Sequence, residues 1–289
     1  MEILTIILAG IMSLGSSGGI ILDKIAQAKI SSQVISIEQQ AVRIDNQPNY
    51  NVARGKLARV RIASRGVLIE PGVRIAILDL ETDPLSVEPS KLKLSSIDSL
   101  RESLNAPATG AAKIVIDEAD LNQALQSPEI QKRLQDNLNR LIVRKAGSSN
   151  ISYNLTDVRL ELRPQNRIQV SFKLDRPRPN LSSASESGRM GTSRTNNRSR
   201  ELAISLELTF KVIDGQMIRL VDPQGTVNGS PMSSRLLNGF ATGISDRLNL
   251  NILEEDGILA RILQLEINED NLQLVGFVRL ETKQSESSD

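Results

Sequence analysis

Between Leu202 and Val212 apolar side chains fall at every second position: Leu202, Ile204, Leu206, Leu208, Phe210 and Val212, with Ala203, Ser205, Glu207, Thr209 and Lys211 between them. Successive side chains of a strand point to opposite faces, so this spacing predicts a strand with one apolar face and one wet face. Ile168, Val170, Phe172 and Leu174 repeat the pattern, as do Val158, Leu160 and Leu162, and also Leu272, Leu274, Gly276, Val278 and Leu280. Further strands are predicted over Ser32–Ile44, Lys56–Ser64, Val73–Thr82, Ala111–Ile116, Gln216–Val221 and Ile262–Ile267. Period-two runs of this length are characteristic of antiparallel sheet.

Three segments change to helical period. Asp23 to Ile30 predicts a short helix. Pro128 suits the first turn of another, whose stripe is Ile130, Leu134, Leu138, Leu141 and Ile142. In a third, Leu236, Phe240, Ile244 and Leu248 recur every fourth residue, with Leu237 and Ala241 beside them. Such stripes normally face a core. Phe240 and Ile244 are therefore expected to face the apolar interior, with the helices covering the sheet's apolar face. The order is helix, strands, helices, strands, helix, strands. It predicts an α+β domain rather than a doubly wound sheet.

Two stretches stand outside this pattern. Ile3 to Leu22 carries no charge, and only Ile3 to Leu14 is densely apolar before glycines and serines interrupt the run. Twenty uncharged residues could span a bilayer, but a basic start and a small-residue cleavage site are missing. A degenerate export signal, an uncleaved anchor and an apolar helix capping a cavity all remain open, beside an ordinary buried helix. The second stretch, Arg176 to Arg200, is rich in Ser, Pro, Asn and Gly; it holds six Arg and one Glu, net +5, and splits two strands. It reads as a disordered hairpin insertion, either a solvated loop or an electrostatic tether to anionic lipid. The domain plan is thus an apolar segment at 1–22, one domain over 23–282 interrupted at 176–200, and a polar tail at 283–289.

Composition narrows the chemistry. The 289 residues include no His, Cys or Trp. That excludes disulfides, zinc–thiolate sites and a Ser-His-Asp triad, so Gly15-Ser16-Ser17-Gly18-Gly19 is no nucleophile elbow despite its match to that motif. Lys plus Arg is 35 against 34 for Asp plus Glu, and aromatics are 2%. A nucleic-acid binder would be basic and rich in stacking rings, so no nucleic-acid partner is expected.

The segment KIVIDEADLNQAL, Lys113 to Leu125, contains the acidic tetrad of helicase-type motors. A nucleotide motor also needs a glycine-rich phosphate cradle ending in Lys-Ser/Thr, and none occurs. No nucleotide is expected. The tetrad reads instead as a strand handing over to a helix. Asp117 would cap it, Asp120 would act as the acid of a capping box, and Glu118 and Asp120 would favour the positive end of its dipole. Leu121 and Leu125 would then point inward.

Four stretches carry a family resemblance: ILDKIAQAKISSQV near the start, ILDLETDPLSV at 77–87, KIVIDEADLNQAL at 113–125, and NGSPMSSRLLNGFATGISDRLNL at 228–250 followed by ILARILQLEI. On these the chain resembles cyanobacterial members of the LmeA-like phospholipid-binding family, which is similar to tubular lipid-binding domains. The resemblance implies a long curved antiparallel sheet wrapped around amphipathic helices, leaving an aliphatic cavity. No catalytic residues are carried over from it, and no metal or cofactor is expected. The expected function is non-enzymatic binding of a membrane phospholipid or glycolipid, with transfer as a further step, at a membrane surface. The side, exported (periplasm or thylakoid) or cytoplasmic, is left open. The cavity candidates are Leu121, Leu125, Ile130, Leu134 and Leu138 on the first helices, and Leu236, Leu237, Phe240, Ile244 and Leu248 on the last. The rival is a solid-core interaction module at a membrane. An enzyme using Asp79, Glu81 and Asp83 is disfavoured, because acids alternating on a strand usually form a solvated face.

Overall fold

In the computed structural model the alternating segments are strands. The structure describes residues 34–45, 51, 54–91, 97–146, 153–175 and 201–283. The apolar start, the helix expected at Asp23–Ile30, the insertion 176–200 and residues 284–289 of the tail lie outside the described residues, as do the side chains of Leu141 and Ile142.

The first sheet contains β1 (Ser36–Asp45), β3 (Arg59–Glu70), β4 (Val73–Thr82), β6 (Ala108–Asp117), β12 (Ile258–Ile267) and β13 (Asn271–Leu280), in the order β1-β3-β4-β6-β13-β12. The second contains β7 (Asn154–Arg163), β8 (Arg167–Asp175), β9 (Glu201–Ile213), β10 (Met217–Val227) and the short β11 (Ser230–Pro231), in the order β11-β10-β9-β8-β7. A ribbon of β2 (Lys56–Leu57) and β5 (Leu85–Ser86) completes the strands. Every pairing is antiparallel. Four helices follow the chain: α1 (Ile97–Ser103), α2 (Glu118–Gln126), α3 (Pro128–Ala146) and α4 (Ser234–Ser245). The class is α+β, mostly antiparallel sheet.

One long sheet was expected, and two sheets are found. The break has a specific cause. The β7–β8 turn places Gln165 and Asn166 at φ 64° and 58°, and Asn166 sits between β9 and the edge strand β12. Its carbonyl accepts from Phe210 N–H at 2.8 Å. Its side-chain oxygen accepts from Ile267 N–H at 2.7 Å, and its amide donates to Leu265 C=O at 3.2 Å. Beside it the carbonyl of Gly215, in the β9–β10 turn, accepts from Ile262 N–H at 2.6 Å. Gly215 has φ +67°, and a Cβ there would lie 3.2 Å from the Ile262 carbonyl oxygen. Turns thus occupy the edge that a further strand would need, and they stitch the sheets together.

The two sheets are covered differently. Under the first, Val60 (0% exposed), Leu100, Ile258 and Leu280 (1% each) form a closed core with Ile62, Leu78 and Leu80. Leu100 comes from α1, a helix too short for its period to announce itself. Over the second sheet lies α4, while α2 lies between the two sheets. Helix α2 starts at the residue after β6 and packs against both β4 and β7, so the strand-to-helix handover at Asp117–Glu118 is as predicted. Pro128 opens α3, and the Ser127 hydroxyl accepts from Ile130 N–H at 3.3 Å as its cap.

The face of α4 is a correction. Its buried side chains are Leu237, Ala241 and Ser245, while Leu236, Phe240 and Ile244 are 40%, 39% and 38% exposed. Small Ala241 lets the helix approach Leu208 and Leu220. The Ser245 hydroxyl accepts from Leu220 N–H at 2.9 Å and donates to Ala241 C=O at 2.7 Å. The stripe chosen by period is the neighbour of the one that packs.

Candidate functional site

Strand β7 is the outer strand of the second sheet, and an open strand edge is an invitation to aggregation unless it is covered. Here a helix covers it with side chains spaced one turn apart. Glu118 accepts from Leu162 N–H at 2.7 Å. Asn122 accepts from Leu160 N–H at 2.9 Å and donates to Leu160 C=O at 2.8 Å, and Gln126 donates to Val158 C=O at 2.9 Å. From α3, Gln135 accepts from Leu155 N–H at 2.7 Å and donates to Tyr153 C=O. Positions i, i+4 and i+8 of a helix lie on one face, which is why 118, 122 and 126 can follow a strand.

The opposite side of α2 is held by charge. Asp120, 7% exposed, accepts from Arg74 at 2.7 Å, and Arg74 also donates to both oxygens of Glu38 at 3.0 and 3.2 Å. These contacts, Glu38 foremost and then Asp120, hold the Arg74 guanidinium pKa above its ordinary value. So Asp120 is not the acid of a capping box, and Asp117, although at the N-cap position, makes no side-chain cap bond. The tetrad's work is structural: it fixes α2 between two sheets.

A groove of about 930 Å³ opens beside this helix. Its lining joins Asn122, Gln123 and Gln126 of α2 to the far ends of β7, β8 and β9. Apolar Val158, Phe172, Ala203 and Ile204 are mixed there with hydroxyls of Ser171, Ser205 and Thr226 and with charged Asp157, Arg159 and Lys173. Asp157 and Glu201 lie 3.0 and 3.1 Å from the Lys173 ammonium and raise its pKa, Asp157 first. Two irregularities bend this sheet. The β7–β8 register shifts between Thr156 and Arg159, with Asp157 at φ 53°. The β9–β10 register shifts between Val221 and Gln224, with Asp222 at φ 50°.

None of the ten predicted cavity residues is among the side chains lining this groove. Leu121 is half-buried against Leu162, Ile168 and Ile267. Leu125, Ile130, Leu134 and Leu138 are half-buried on α2 and α3. Leu237 is buried, and Leu248 packs beside Leu208 and Ala241. Leu236, Phe240 and Ile244 are exposed. Phe172 and Ile204, missed as site residues, stand directly opposite each other across β8 and β9. Their alternation was visible, but period does not say which part of an apolar face stays uncovered.

Of the acids weighed for catalysis, Asp83 is exposed just past the end of β4, while Asp79 and Glu81 are ion-paired. Arg65 donates to Asp79, and Glu81 lies 3.3 and 3.5 Å from Arg59 and Arg61. They sit on the outer face of the first sheet, around a 410 Å³ hollow crossed by Ala41, Ala63, Asp79, Lys113 and Val275, which are neighbours by register. Among the described residues there is no cluster of acids suited to a metal ion and no helix long and apolar enough to cross a membrane.

A family model described as LmeA-like phospholipid-binding matches residues 17–277. Comparisons with curated proteins and with solved structures gave no match.

Proposed function

The chain belongs to the LmeA-like phospholipid-binding family, and from that premise we propose that it holds a membrane phospholipid or glycolipid non-covalently in the groove of the second sheet and passes it between membranes. The observation that carries this reading is the apolar surface of the second sheet left open beside the groove. On that sheet, Leu160, Val170, Phe172, Leu202, Ile204, Leu206 and Phe210 all remain only half-buried. Leaving such side chains partly wet forgoes about 25 cal/mol for each Å² of apolar surface not removed from water. An acyl chain laid along Phe172 and Ile204 recovers that energy. The head group then meets the amides that α2 brings to the same groove, Asn122, Gln123 and Gln126, the usual division of labour in a ligand site of this size.

Strand bulges and the α2 clamp shape this groove, and no proton transfer or nucleophile is required of it. Native mass spectrometry and lipid extraction of protein purified from cells test the reading. Bound phospholipid or glycolipid is expected. Protein that carries no lipid and takes up no fluorescent phospholipid overturns it, and would favour the solid-core interaction module.

A further inference from the structure

Helix α4 carries more apolar surface than it buries. Leu237, Ala241 and Ser245 satisfy the sheet. One residue earlier in each turn, Leu236, Phe240 and Ile244 form a second stripe that is 38–40% exposed. Facing away from the sheet, Gly239 and Gly243 have nothing within 4 Å of where a Cβ would stand. Each glycine weakens the helix by about 1 kcal/mol relative to alanine, yet on the outward surface each lets a flat partner approach the backbone closely. Exposed large side chains in a row usually mark a contact surface.

Charge points to the partner. Arg235 and Arg247 flank the stripe, no acidic residue occurs from Pro223 to Ser245, and Asp246 is the one acid between the two arginines. The helix also adjoins the groove. A Cβ at Gly225 would meet Leu237 of α4 at 2.9 Å and Leu206 of β9 at 2.8 Å, and Leu206 shares its face of β9 with Ile204, which lines the groove. We propose that α4 docks the protein on an anionic lipid bilayer, with Leu236, Phe240 and Ile244 entering the interface and the groove rim brought beside the leaflet. An apolar stripe flanked by two arginines, with a single acid at its end, is the chemistry of an interfacial helix. The inference rests on the lipid-binding reading for its purpose, but its test is separate.

The chain contains no Trp, so Phe240→Trp makes a full-length protein with one indole reporter on the stripe. Vesicles of phosphatidylcholine with phosphatidylglycerol should shift its emission to the blue, and lipids brominated on their acyl chains should quench it. Phe240→Glu should lower partitioning into the same vesicles about tenfold or more, the worth of roughly one half-buried aromatic ring. Emission that ignores the vesicles overturns the proposal. So does emission already blue without vesicles: concentration-dependent in a second-copy interface, concentration-independent where the chain itself covers the stripe. Uptake of fluorescent phospholipid is scored in parallel. Uptake without docking sinks this inference alone, and docking without uptake sinks the lipid-holding reading alone.

Discussion

Replacing Asn166 probes the joint between the sheets. Its side chain makes two hydrogen bonds to β12, and the Ile267 N–H it accepts from belongs to a residue only 2% exposed. Asn166→Gly keeps the backbone at ease at φ 58° but removes both bonds. At about 1 kcal/mol per bond, with a further increment for a buried donor left unpaired, the loss should be about 2–3 kcal/mol. Asn166→Ala removes the same bonds and adds about 1 kcal/mol, because a Cβ without a local hydrogen bond resists the left-handed region. Its total should be about 3–4 kcal/mol, a fall in Tm of roughly 5–8 °C for a chain of this size. Asn166→Asp keeps the acceptor for Ile267 but turns a carboxylate oxygen toward the Leu265 carbonyl, and should fall between Gly and the parent. Urea unfolding of the series, with amide exchange at Ile267 as a local readout, gives the answer. An Ala variant within about 0.5 kcal/mol of the parent, a normal margin for surface changes, would mean the sheets are held by something else. Equal effects of Gly and Ala would show that the positive φ carries no strain.

Other predictions follow from burial and charge. Leu100→Ala, in the closed core at 1% exposure, should cost about 2–5 kcal/mol; Phe240→Ala, 39% exposed, should cost well below that range in the same denaturation assay. Arg74→Met strands Asp120 on α2, and we expect a loss of about 2–3 kcal/mol, below the figure for a fully buried pair because Arg74 is itself 30% exposed; Glu38→Gln, at a 61% exposed carboxylate, should cost under about 1 kcal/mol. Deleting Leu181 to Asn197 should change stability by under about 1 kcal/mol; if the arginines there tether the protein to lipid, anionic-vesicle binding should weaken at low salt and not at high salt, while loss of folding would refute the loop assignment.

Much of the architecture is local and therefore legible in the sequence. Side chains alternating from Leu202 to Val212 could only be one strand with two unlike faces, and β9 is that strand. Lys113 to Leu125 carries its own punctuation: β-branched residues, then acids, then a helical stripe. Pro128 marks the break between α2 and α3 because a proline fits only a first turn. The missing His and Cys closed whole classes of chemistry before any fold was known.

What tertiary structure decided is which of several locally equal choices is paired. In α4 the stripes 236/240/244 and 237/241/245 have the same period. Only the presence of Leu220 N–H beside the Ser245 hydroxyl, and room beside Ala241 for close approach, selects the second. Glu118, Asn122 and Gln126 look like a solvated helix face until β7 is laid along them as an edge needing partners. Asn166 looks like any turn residue until its side chain fills the gap beside β12 and divides one expected sheet into two. The groove is decided last of all. Alternation makes Phe172 and Ile204 apolar-facing, but whether a face is covered depends on where α2 and α4 come to rest, and that is set by contacts between residues far apart in the chain.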